Sequence, residues 1–216
     1  MTHSLNEIEA LAKRAARGAG LSWGMAEEAA KATRWLASHN LPGVELLADV
    51  LRLNDRTPQA QVAPVSLTGN WQALSGTLCP IASGAALNDC ADKLAQDGAF
   101  GMVNVSHPLL VLPFAAWAAL HIDAPVLVSW MDVRIVTNGY GLWLNGPQSQ
   151  VENRAPVTLT CAVATQPENA VSNPTMRGRL DRAAGAQLNT FAGRTYAPAT
   201  EESRRLGAGA GVSDND

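Results

Sequence analysis

Between Phe100 and Leu120 the chain changes period once, and that change limits what it can fold into. Phe100 to Val105 is an apolar run of strand length, while Pro108 to Leu120 is an apolar run long enough for a helix. Only Ser106 and His107 separate the two. Proline is tolerated at the first turn of a helix, because its missing N–H would find no partner there in any case. A buried strand that delivers directly into a helix predicts a fold in which helices cover a sheet.

The flanking segments extend this pattern. Ala85 to Asp97 reads as a helix closed by Gly98, so a helix leads into the strand as well as out of it. Pro125 to Val136 reads as one long strand with partial alternation of apolar and polar residues. Asn138-Gly139 predicts a hairpin, because both residues accept positive φ, and Gly141 to Leu144 is expected to return antiparallel. Pro156 to Ala164 supplies a further strand.

The first quarter of the chain has helical periodicity. Ser4-Leu-Asn-Glu7 fits a capping box, in which a hydroxyl and a carboxylate each satisfy a free amide at a helix start. Ile8, Leu11, Ala12, Ala15 and Ala16 follow at helical spacing up to Gly18. Ser22 is placed to cap a second helix that carries Met25, Ala29, Ala32, Trp35 and Leu36. A third carries Val44, Leu47, Val50 and Leu51.

After Thr165 apolar residues thin out. Met176 to Leu188 is predicted as one helix and Thr200 to Leu206 as a short one, ahead of Gly207-Ala-Gly-Ala-Gly211 and a fraying end. The predicted class is α/β (α+β): an N-terminal three-helix lobe, then a mixed sheet with antiparallel edge strands and flanking helices. Residues 1–58 form the lobe, 59–165 the sheet core and 166–216 an irregular, partly helical C-terminal segment.

Composition narrows the partners. A net charge of −3 and a pI near 5.8 provide no basic footprint for a phosphate backbone, so nucleic acid is not expected. Neither a basic-then-apolar leader nor an apolar run of about 18 residues is present, so no membrane span is expected. Cys79, Cys90 and Cys161 lack metal-ligand spacing and read as reduced core residues of a cytoplasmic protein. Charged residues make up 16% of the chain, below the roughly 25% usual in such domains, which predicts a homodimer or a subunit of a larger complex.

Few residues are candidates for chemistry. His3, His39, His107 and His121 are scattered, so no metal site is expected. Ser106 and His107 are adjacent, and neighbouring side chains of a strand point to opposite faces, which argues against a nucleophile–base pair. Gly207 to Gly211 lacks the preceding strand and following helix of a phosphate loop. Arg194, Arg204 and Arg205 are candidates for clamping a carboxylate, with a solvated surface as the alternative. His107 stands at the carboxyl end of a buried strand, where open α/β sheets gather ligands, and Asn104 and Ser106 are near enough in sequence to orient it.

Two resemblances bear on function. The stretch Arg194 to Asp216, with Ser4 to Glu7, resembles a family of alphaproteobacterial proteins catalogued as a domain of unknown function, a likeness expected over the whole chain. Residues 5 to 120, with the three-helix start and Met102-Val-Asn-Val-Ser-His107, resemble the type-2 malate/lactate dehydrogenase family. That resemblance implies dimers that reduce small 2-oxo or cyclic imino acids with NAD(P), on a fold unlike the Rossmann domain. The family's Asn-x-x-His element falls on Asn104 and His107, with histidine as proton donor. Ser38-His-Asn-Leu-Pro-Gly43 does not reproduce the family's Ser-His-Gly, and Pro108 follows His107 in place of an aromatic residue and glycine. The chain is also short for the usual cofactor domain, so a nicotinamide cofactor is expected to bind weakly or only in a complex.

The expected function is that of a cytoplasmic small-molecule enzyme acting on a carboxylate-bearing metabolite. His107 and Asn104 are the expected catalytic groups, and Ser106, Arg194, Arg204 and Arg205 the expected substrate contacts. A non-catalytic partner subunit or a metabolite-binding protein is the alternative.

Overall fold

The computed structural model describes residues 2–165, 167 and 174–196. Residues 200–216, with Arg204, Arg205, the short helix expected before them and the glycine-rich run, lie outside the described residues.

Three helices open the chain: α1 (Leu5–Gly18), α2 (Trp23–Ser38) and α3 (Gly43–Leu53). The capping box closes as expected, with the Ser4 hydroxyl accepting from the Glu7 amide and the Glu7 carboxylate accepting from the Ser4 amide. Ser22 caps α2 in the same way through the Met25 amide. The alanine-rich faces of α1 and α2 let the two helices approach closely, and Ala12, Ala15, Ala29 and Ala32 are fully buried.

Beyond a short turn, α4 (Gln59–Val62), the strands begin. Strand β1 (Thr2–Ser4) pairs antiparallel with β8 (Arg177–Arg179) in a small ribbon beside the helical lobe. The main sheet has six strands in the order β2 (Asn70–Trp71), β3 (Ala99–Val105), β7 (Val157–Val163), β4 (Val126–Trp130), β5 (Val133–Thr137), β6 (Leu142–Asn145). Only β2–β3 is parallel; all other neighbours are antiparallel. Strand β7 fills the slot between β3 and β4, so the helical crossover from β3 reaches a strand two places away.

That crossover begins with a 3-10 turn (Pro108–Val111) and continues as α7 (Leu112–Ile122), not as the single helix expected over Pro108 to Leu120. Two prolines explain the break: each fits a first turn, and Pro113 starts the second element as Pro108 starts the first. The helix expected over Ala85 to Asp97 is likewise two, α5 (Pro80–Asp89) and α6 (Ala91–Asp97), joined at Cys90 and closed by Gly98 at φ 79°. Gly84 is what lets α5 and α7 meet, because a Cβ there would lie 2.2 Å from the Phe114 ring.

Other elements also depart from expectation. The long strand expected over Pro125 to Val136 is a hairpin, β4 turning into β5 through Met131 at φ 45°. Gln150, in α8 (Gln148–Val151), secures that turn: its side chain accepts from the Asp132 amide and its carbonyl from the Trp130 indole. The hairpin expected at Asn138-Gly139 forms and returns into β6, with positive φ at Gly139 alone and the Asn138 side chain accepting from the Tyr140 and Gly141 amides. The helix expected over Met176 to Leu188 is instead β8 followed by α9 (Arg182–Gly193), because the Asp181 carboxylate accepts from the Ala184 amide and starts the helix there. Helix α9 packs on α1 and α3.

The inner sheet face, with Phe100, Met102, Val128, Ile135 and Cys161, packs against the helices. Leu109 to Leu112 are fully buried between that layer and the lobe. Strand β3 therefore ends where lobe, crossover and sheet meet.

Candidate functional site

The end of β3 is irregular. Its pairing with β7 shifts register between Met102 and Val105, and both Asn104 (φ 54°) and His107 (φ 47°) adopt the left-handed conformation. Asn and His are among the residues that accept it most readily. The Ser106 amide donates to the Leu78 carbonyl and the Leu78 amide to the Asn104 carbonyl, tying the strand end to the loop before α5. Ser106 and His107, which takes the left-handed turn, both border one cleft.

That cleft has a volume of about 620 Å³, within the range of small-molecule sites. Asp49, Arg52 and Asn54 come to it from α3 and its C-cap, Ser75 and Thr77 from the loop before α5, and Arg154 from the segment after α8. It lies between the helical lobe and the end of the sheet.

Within it, His107 is 5% exposed. Its Nδ1 is enclosed without a hydrogen-bond partner, and its Nε2 lies 4.0 Å from Asp49 Oδ2. The same carboxylate oxygen accepts from Arg154, and Arg52 approaches the other at 3.8 Å. The His107 amide donates to the Arg154 carbonyl at 3.3 Å, so the two residues are held together through the backbone as well. Burial pushes the His107 pKa down to about 4, with Arg154 and Arg52 acting in the same direction and only Asp49 opposing. The ring is therefore neutral near pH 7, not titrating there as a free imidazole would.

The other candidates stand as follows. Asn104 is exposed, its amide donates to the Gly76 carbonyl at 3.2 Å, and it holds the loop bearing Ser75 and Thr77 without lining the cleft. The Ser106 hydroxyl is directed to the Leu78 carbonyl at 3.5 Å. Arg194 pairs with Asp55 at 2.6 Å and lies over the Phe191 ring, outside the cleft. Asp49, Arg52 and Arg154 were not singled out from sequence. Asp49 carried a signal, as a carboxylate among the apolar residues of α3.

His39 stacks on Trp35, with its Nδ1 2.9 Å from the Trp35 carbonyl, and burial lowers its pKa. The three cysteines are free and buried, and burial pushes Cys161 up to about 12. Among the described residues no three His, Cys, Asp or Glu side chains cluster to hold a metal ion. Among them, too, no helix is long and apolar enough to cross a membrane.

Comparison with known proteins adds the following. Residues 3–79 match the model of a family described as protein of unknown function (DUF3726). The match falls on the helical lobe and the loop after it, and so takes in Ser4 to Glu7, one of the two stretches that carry the likeness, but not the C-terminal one. No curated protein matches the chain. Among solved structures, the crystal structure of malate dehydrogenase from Entamoeba histolytica is similar over 77% of this chain and 50% of that one, with a TM-score of 0.44 and 12% identity. This chain spans about half the length of that protein.

Proposed function

We propose that the chain binds a small carboxylate-bearing metabolite in the cleft beside α3, a 2-oxo acid, a 2-hydroxy acid or a cyclic imino acid, and that His107 moves a proton at the ligand. The observation that carries this is a buried histidine, 4.0 Å from a carboxylate and flanked by two arginines, on the wall of a cleft of small-molecule size. A neutral ring in the free protein starts as a proton acceptor. Its Nε2, the nitrogen that faces Asp49, takes up a proton and gives it to a ligand imine nitrogen or carbonyl oxygen, and the reverse step takes that same proton back. Ser75 and Thr77 supply hydroxyls to orient the ligand, and a cytoplasmic setting, expected from the reduced thiols, belongs to the same proposal.

The residues present do not fit a nicotinamide dinucleotide as well as they fit a short acid. A pyrophosphate is usually cradled by free backbone amides. On this wall the amides of Ser75, Gly76, Leu78 and Cys79 donate to carbonyls and that of Thr77 to the Ser75 hydroxyl. Arg154 is already on Asp49. No hydride step is assigned to the cleft.

Calorimetry on the purified chain tests both points. We expect saturable binding of at least one short 2-oxo, 2-hydroxy or cyclic imino acid, and no tight binding of NADH or NADPH. Tight dinucleotide binding with no response to the acids would overturn the reading. Binding without turnover would make this a metabolite-binding module and would refute the proton-transfer role.

A further inference from the structure

We propose that Arg154 is the group that receives the ligand's carboxylate, and that its transfer from Asp49 to the ligand charges His107, so that binding and proton uptake are one event. This rests on the cleft being a carboxylate site, and it names the residue that recognises the acid and the one that arms the histidine.

The geometry supplies both halves. Arg154 bonds the Asp49 oxygen that lies 4.0 Å from His107 Nε2, so one carboxylate stands between a cation and a neutral ring. While Arg154 is paired, its charge opposes the field that Asp49 exerts on the ring. The Arg154 side chain is 56% exposed and Asp49 17%. An arginine so open to water gains little from its partner, and a planar guanidinium accepts a second carboxylate in bidentate fashion. Arg52 does not replace it, being 70% exposed and 3.8 Å from the other oxygen.

The enclosed ring supports the second half. A buried neutral histidine is held neutral mainly by desolvation, which a nearby unpaired carboxylate opposes. Asp49 and Arg52 from α3 and Arg154 from the segment after α8 are the charged groups on this cleft among the described residues. A ligand carboxylate on Arg154 adds one negative charge to that set and leaves Asp49 uncompensated. The histidine then takes a proton from solvent at Nε2, and that proton is available to the ligand's carbonyl or imine. Asp49 is thus a positioning residue, acting through His107.

The test reads the charge state of the His107 imidazole by nitrogen NMR at about pH 6, where pyruvate is fully ionised and a histidine with a pKa of about 4 is neutral. In the free wild-type protein the ring should be neutral, and saturating pyruvate should convert most of it to the charged form. In Arg154→Gln without ligand, the ring should be charged in substantial part, and adding Asp49→Asn to that variant should neutralise it again. Arg154→Gln should also bind pyruvate at least about tenfold more weakly, as for loss of a charge-assisted pair. Pyruvate bound with the ring still neutral would overturn the coupling while leaving the proposed function standing. No pyruvate binding by the wild-type protein would overturn the assignment of Arg154 as receptor. If the other short acids also failed to bind, the proposed function would fall with it. Because the wild-type measurement needs no variant, a poorly folding Arg154→Gln leaves the test intact.

Discussion

His107→Asn should abolish turnover or proton-linked ligand response and change stability by no more than about 1 kcal/mol. The asymmetry follows from what the ring does in the fold. Its Nδ1 has no partner and its Nε2 is 4.0 Å from Asp49, beyond hydrogen-bond range, so no buried donor is orphaned when it goes. The backbone at φ 47° suits asparagine, which adopts the left-handed region readily. The wild-type protein should also lose stability as pH falls from about 6.5 towards about 4. Over that window the unfolded imidazole binds a proton that the folded one refuses, so the unfolded state gains. His39, lowered by burial, contributes with the same sign, so the variant should show a weaker slope, not a flat one. Chemical denaturation across this pH range checks the sign. A variant losing about 1 to 3 kcal/mol while keeping its ligand response would make His107 a packing residue.

Phe114→Ala should have the largest effect on the fold, about 3 to 5 kcal/mol, as for deletion of a large buried aromatic side chain. Phe114 is fully buried, meets Trp117 edge-on with ring centroids 5.0 Å apart, and occupies the space that Gly84 leaves open on α5. The cavity would lie where α7 rests on α5, immediately after the 3-10 turn that follows His107. Urea unfolding reads the loss, and ligand affinity should fall with it. A change below about 1 kcal/mol would mean that α7 repacks freely and that the site is not braced by this contact.

Local chemistry made much of this architecture legible in the sequence. The capping box at Ser4 and Glu7, the Ser22 cap and the Asn138-Gly139 turn are short-range devices whose partners lie within a few residues, and each forms where expected. The β4–β5 turn was not legible, because Met131 takes a positive φ without glycine, asparagine or proline to announce it. Its support comes from Gln150, which bonds Asp132 across 18 residues. Pairing of β8 with β1 joins segments far apart in the chain and has no local signature.

The candidate site divides in the same way. His107 could be singled out because it ends a strand. The Asp49–Arg154 pair beside it spans 105 residues, and nothing around either residue points to the other. Alternation argued against Ser106 and His107 acting as a pair, and although both line the cleft, the Ser106 hydroxyl is directed to the Leu78 carbonyl and not to the ring.

The most direct test of the cleft as the site is amide chemical-shift mapping of the wild-type protein, titrated with short 2-oxo, 2-hydroxy and cyclic imino acids. The account predicts that at least one acid shifts a contiguous set centred on Asp49, Arg52, Ser75, Thr77, His107 and Arg154, saturating with a single affinity. Saturable shifts centred elsewhere, with these residues unmoved, would contradict it.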